Sequence, residues 1–163
     1  RGGRAPACRG AFPWQDPDSW DHDLLEFYKK ATAMRGSHRV LQMGGFERVP
    51  VMRSGAASTP LDDDLYAFIR WQAGDAGSVA VVVYNTSDEP VNVDVSLGES
   101  AAYGLVPLAG LTLTDVWRGG ADASDEGATS GGAAVGQSGE LSGVTVPARD
   151  AAVFIGQFSG LGW

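Results

Sequence analysis

Cysteine is almost missing from this chain: Cys8 stands alone among 163 residues. One thiol cannot build an internal disulfide framework, so the fold must hold by packing. Nor does Cys8 have a helix N-terminus or a base nearby to make it a thiolate. Histidine is nearly as scarce, and neither His22 nor His38 sits at metal-ligand spacing from a Cys, Asp or Glu. His22 reads as a solvent-facing residue of a helix's first turn and His38 as a residue that packs or hydrogen-bonds locally, and no metal or cofactor is expected. No apolar run approaches a membrane span, so no membrane partner is expected. Cations are outnumbered, 12 Lys and Arg against 20 Asp and Glu, for a formal charge of −8. A chain of that sign repels nucleic acid. The Gly-x-Ser-x-Gly elbow of a serine hydrolase does not occur. Gly44–Gly45 and Gly131–Gly132 lack the Lys and Ser/Thr that complete a phosphate loop. The opening "RGGRAP" has no apolar stretch of the signal-peptide kind.

Glycine, by contrast, is plentiful, 23 residues gathered between apolar runs where turns need them. One segment reads as a helix. Leu24, Phe27, Tyr28, Ala31 and Met34 form a stripe at three- and four-residue spacing. Asp21 suits the N-cap, and Trp20 before it is placed to staple onto Leu25. Lys29, Lys30 and Arg35 lie toward the C-terminal end, where cations suit the dipole, and Gly36 is positioned to stop the helix. After residue 39 the period turns strand-like. "FERVPVM" (46–52), "LYAFIRW" (65–71), "SVAVVVYN" (78–85) and "VNVDVSL" (91–97) come in quick succession. "LTLTDVW" (111–117), "GVTVP" (143–147) and "AAVFIGQF" (151–158) complete the set. "VNVDVSL" alternates, the pattern of a sheet with one wet face. "VAVVVY" is apolar throughout and predicts a central strand covered on both sides. Turn chemistry separates the runs: "AGDAG" (73–77), "SDEP" (87–90) and "PARD" (147–150). Residues 119–139 are small and polar and read as one long surface loop. The expected fold is mainly β: an antiparallel, Greek-key type β-sandwich preceded by one amphipathic α-helix.

Few residues carry chemistry. Asp16, Asp18, Asp21 and Asp23 do not match a calcium loop and are better explained as turn and cap residues. Asp62, Asp63 and Asp64 are consecutive, cannot converge on one ion, and read as a solvated turn before a strand. Trp14, Trp20, Trp71 and Trp117 would stack on sugar rings if exposed, although strand residues such as Trp71 and Trp117 more often enter the core. On residue chemistry alone the chain holds no catalytic machinery.

The order "APACRGAFPW", then "LLEFYKKATAMRGSHRVLQMGGFERV", then a run of strands resembles the C-terminal end of α-amylase-family glycoside hydrolases. The neopullulanase, cyclomaltodextrinase and α-glucosidase group is the most similar. In that family an Asp-Pro-x-x-Arg segment and a Pro-x-Trp follow the eighth barrel strand. The last barrel helix carries a Tyr…Arg-x-x-His pattern, matched here by Tyr28, Arg35 and His38. A Leu-x-x-Gly step into the terminal domain is matched by Leu41 and Gly44. "LYAFIRW", "VAVVVYNTSDEPVNV" and "GVTVPARDAAVF" look like that domain's central strands and closing hairpin. The resemblance implies that residues 1–38 are the end of a (β/α)8 barrel and 39–163 a C-terminal β-sandwich. Arg1, which is not an initiator Met, would then lie beyond the strand-eight signature, and an upstream barrel of the same parent chain would be the main partner.

The activity the resemblance implies for the parent is retaining hydrolysis of α-glucosidic bonds in an α-glucan or maltooligosaccharide. A carboxylate nucleophile and a carboxylic acid about 5 Å apart perform it. Those groups come from barrel strands upstream, so no catalytic residue is carried over. One substrate-binding residue is: Arg9 matches the Arg of Asp-Pro-x-x-Arg, which reaches a bound glucose. Ala5 occupies the Asp position and removes an acceptor, so Arg9 is equally readable as a structural ion-pair former. Two other readings stand beside this one. A carbohydrate-binding module for starch-like glucan would show exposed aromatics, with Trp71 or Trp117 as candidates. An immunoglobulin-like interaction domain is disfavoured by the helix-first order and the missing Cys…Trp…Cys core.

Overall fold

A computed structural model describes residues 12–56, 62–72, 76–98, 100, 102, 106, 108–118 and 132–159. The chain divides into two compact units, Arg1–Met34 and Arg35–Trp163.

The described part of the first unit opens with a 3-10 turn, Pro17–Ser19, and then holds most of helix α1, His22–Ser37, whose last three residues belong to the second unit. Asp21 is the N-cap: its Oδ1 accepts from the Leu24 N–H at 2.9 Å and its carbonyl from the Leu25 N–H at 3.0 Å. The Trp20 indole N–H donates to the Pro13 carbonyl at 2.9 Å, and its ring lies 5.2 Å from Phe12 and 6.1 Å from Trp14. Gly36 does not stop the helix as expected; it sits inside the last turn. The chain leaves the helix at His38, which is extended at φ −120°, ψ 105°. The Gln42 side chain then donates to the Arg35 and Gly36 carbonyls at 3.0 and 2.8 Å, occupying acceptors that a left-handed glycine would otherwise have served.

In the second unit a short helix α2, Arg39–Gln42, precedes the strands. They are β1 Gly45–Val49, β2 Val51–Arg53, β3 Leu65–Gln72, β4 Ala76–Asn85 and β5 Val91–Ser96. They continue with β6 Thr112–Asp115, β7 Gly132–Ala134, β8 Glu140–Val146 and β9 Asp150–Ser159. Two antiparallel sheets result, ordered β1-β3-β4-β9-β6-β7 and β2-β5-β8. The mainly β sandwich preceded by a helix is therefore the observed fold.

Three details differ from the expectation. "FERVPVM" is two strands, because Pro50 has no N–H to give a ladder. The chain switches sheets there, β1 pairing with β3 and β2 with β5, while the Pro50 carbonyl accepts from Ser96 at 2.9 Å. Next, "LTLTDVW" ends as a strand at Asp115. The buried Asp115 carboxylate accepts from the Trp117 and Arg118 N–H groups at 2.9 and 3.3 Å and bends the chain. Last, the far end of the supposed loop forms β7, which pairs with β6; residues 119–131 lie outside the described residues.

The core lies between the sheets. Val79, Val81 and Val83 of β4 meet Val93 and Val95 of β5, all fully buried. The opposite face of β4 is covered at Ala80 and Val82 too, as the unbroken apolar run implied. Asn85, 2% exposed, joins two turns. Its Nδ2 donates to the Glu89 and Pro147 carbonyls, both at 2.8 Å, and its Oδ1 accepts from the Ser87 N–H at 3.0 Å and hydroxyl at 2.7 Å. Replacing Asn85 with Ala is expected to lower stability by about 2–3 kcal/mol, since buried carbonyls lose their donor. Urea unfolding measures this; a loss below about 0.5 kcal/mol, the level of an ordinary surface change, would show that the junction holds without it.

Candidate functional site

Strand alternation decides which side chains face outward on the large sheet. In β3, Leu65, Ala67 and Ile69 enter the core, so Tyr66, Phe68 and Arg70 must point the other way. Pairing aligns them with neighbours: Arg48 faces Phe68 from β1, and Tyr84 faces Tyr66 from β4. Phe46 and Tyr84 lie diagonally beside Phe68. The outcome is an aromatic cluster on an exposed sheet face. Phe68 is half-buried at its centre, 5.1 Å from Phe46, 6.2 Å from Tyr66 and 6.3 Å from Tyr84. Phe46 is 56% exposed, Tyr84 43% and Tyr66 38%. The Arg48 guanidinium lies 5.2 Å from the Tyr66 ring centre, within cation–π range.

Beside the cluster, the Pro50 sheet switch leaves a depression of ≈ 260 Å³ lined by Arg48, Pro50, Met52, Asp62 and Leu65 among others. That volume falls below the usual small-molecule pocket. On its wall Arg53 Nε donates to Asp62 Oδ2 at 2.7 Å. This hydrogen bond holds the Asp62 carboxyl below its usual range against the opposing effect of partial burial, with the Asp64 N–H and the Arg53 charge assisting. Asp62 is thus a turn residue, as expected, but one with a fixed partner.

The tryptophans proposed for sugar contact do not form a platform. Trp117 is 6% exposed and its indole N–H donates to Asp150 Oδ1 at 2.9 Å. Trp71 is half-buried against the core, and its indole lies so close over Gly45 that any side chain there would collide with it. Both are packing residues. Trp14 is 71% exposed, within the Phe12–Trp20 group of the first unit. His22 Nε2 donates to the Pro17 carbonyl, 3.0 Å away, and His38 precedes α2 without a side-chain cap bond. Arg9, the substrate-binding candidate, lies outside the described residues, as do Ala5 and Cys8.

No group of three or more His, Cys, Asp or Glu able to hold a metal occurs among the described residues. No helix among them is long and apolar enough to cross a membrane. Sequence patterning does not assemble the aromatic face, because its residues come from three strands. The signal for one strand is there: Tyr66 and Phe68 alternate with Leu65, Ala67 and Ile69. No family model matches this chain, and no curated protein matches it either.

The Asp62 carboxyl contributes stability that is complete above the ordinary carboxylate pKa and lost as pH falls through its own lowered value. Replacing Arg53 with Ala is expected to return the Asp62 titration toward the ordinary range. The effect on stability near neutral pH stays below about 1 kcal/mol because the pair is solvent-accessible. Carboxyl-carbon NMR titration reads it; an unmoved Asp62 midpoint would assign the lowering to another cause.

Proposed function

We propose that this chain is the C-terminal portion of an α-amylase-family glycoside hydrolase. It comprises the last barrel helix and the terminal β-sandwich, and its task is to brace the catalytic barrel of the same parent. The resemblance in motif order supports the family. The observation that carries the bracing role is the state of α1. Leu24, Phe27 and Tyr28 are 51%, 50% and 60% exposed, and no residue of the helix is buried. An amphipathic helix derives most of its stability from covering its apolar face. Each large side chain covered adds about 1.5–3 kcal/mol. A barrel wall is the cover that the reading supplies.

In this reading the parent performs retaining hydrolysis of α-glucosidic bonds with barrel carboxylates. The present chain contributes no reacting group, and Arg9 remains the one residue proposed to reach a bound glucose. The exposed aromatic face favours a second reading, a module that binds starch-like glucan itself. The packing of Trp71 and Trp117 leaves that reading without its original candidates and with Phe46, Tyr66 and Tyr84 instead.

The 163-residue chain is expected to release no sugar from maltooligosaccharide or pullulan, and measurable turnover would refute the structural role. Triple replacement of Leu24, Phe27 and Tyr28 by Ser should change the unfolding free energy of this chain by less than it lowers that of a barrel-linked parent. Equal losses in both would mean the stripe is not a barrel contact. Titration with β-cyclodextrin, followed by NMR at the Tyr66 and Tyr84 rings, separates the two readings. No shift is expected for the bracing domain; a saturable one favours the module.

A further inference from the structure

Helix α1 crosses the boundary between the two compact units: His22–Met34 belongs to the first and Arg35–Ser37 to the second. The helix carries its only glycine, Gly36, just past that boundary. A glycine inside a helix weakens it, and is kept where a left-handed backbone or a close neighbour demands it. Neither demand exists here. Gly36 is not among the positive-φ glycines, and a Cβ added to it would meet nothing within 4 Å. No buried side chain of α1 holds the helix at this point either. What spans the junction is one carboxamide. Gln42 Nε2 donates to the carbonyls of both Arg35 and Gly36, at 3.0 and 2.8 Å. Gln42 is itself seated on the sandwich. It ends α2, whose Val40 and Leu41 are buried against β3 and β4, and the Leu41 carbonyl accepts from Arg70 Nη1 of β3 at 3.0 Å.

We propose that Gly36 is a hinge between the two units and that the Gln42 carboxamide is its latch. The hinge runs from Gly36 to His38, the end of the last turn and the extended residue that leaves it. Residues at the end of an element are where hinge motions are absorbed. With the latch closed, the last turn of α1 is tied through α2 to the sandwich. With the latch open, the glycine lets the backbone rotate without a Cβ in the way, and the first unit turns independently of the second. The latch consists of neutral, solvent-exposed hydrogen bonds, each a modest restraint, so opening it is within reach of a binding partner. A partner that covers the exposed stripe of α1 then selects one setting of the hinge from those already sampled. This inference does not rest on the amylase reading; it holds for any cover of the stripe.

Amide exchange and 15N relaxation of the 163-residue chain read the hinge directly. Gln42→Ala should speed exchange at the Arg35, Gly36 and Ser37 amides about three- to tenfold. It should also lower the heteronuclear NOE of residues 35–38, while the amides of β3, β4 and β9 keep their rates. Gln42→Glu should behave the same way, because a carboxylate has no N–H to donate. Gly36→Ala should act in the opposite sense, slowing exchange there up to about fivefold, and the variant carrying both alanines should lie between the two. Unchanged exchange in Gln42→Ala overturns the latch. A Gly36→Ala variant that exchanges as fast as the original chain, or faster, overturns the hinge. Equal acceleration of the sandwich amides in Gln42→Ala would make Gln42 a general support of the fold, and overturns the device as well.

Discussion

The double burial of β4 is the constraint on which the sandwich depends. Its Val79, Val81 and Val83 fill the space between the sheets, while Ala80 and Val82 are sealed on the other side. A strand apolar on both faces cannot set its register by hydrophobicity, because a one-residue slip exchanges one apolar row for another. Its polar end supplies what the middle lacks. Asn85 is fixed by four hydrogen bonds to Ser87, Glu89 and Pro147, and a slip would drag Tyr84 inward or leave those partners empty. That knot also sets the pairing of β4 with β9, from Ala76 opposite Ser159 to Asn85 opposite Asp150. The Asp150 carboxylate in turn receives the Trp117 indole N–H and places β6 at the far side of β9.

The Pro50 switch then determines what remains uncovered. Because β1 continues into the opposite sheet, the large sheet has a short edge strand whose outward residues are Phe46 and Arg48. α2 lies against β3 and β4, with Val40 and Leu41 buried, and the Arg70 guanidinium is tied to the Leu41 carbonyl. The cover stops there, and the aromatic cluster around Phe68 is the part of the outward face left without it.

Much of this was legible from periodicity alone, because it follows from local rules. The helix, its Asp21 cap, the half-wet β5 and the central β4 each have a sequence signal spanning fewer than a dozen residues. What was not legible depends on partners distant in sequence. Gly36 has the form of a helix stop, yet the helix end is satisfied by Gln42, six residues on. Trp71 and Trp117 read as core residues more readily than as sugar contacts, and the fold agrees, but only the fold shows one packed over Gly45 and the other donating to Asp150. The Pro50 break was visible as a residue but not as a change of sheet, since that requires knowing that β2 finds β5. The aromatic face demanded the same knowledge, as it joins residues of three strands.

Charge distribution closes the argument about surfaces. A net charge of −8 spread evenly would place carboxylates on every wet face. They are instead absent from the outward strand positions of four consecutive neighbours in the large sheet. Exposed apolar side chains scattered singly require no explanation, but a contiguous set does. Such a face is paired with water at a free-energy penalty that any complementary cover removes. Whatever covers it must offer an apolar centre for Phe46, Tyr66 and Tyr84, and acceptors within reach of Arg48.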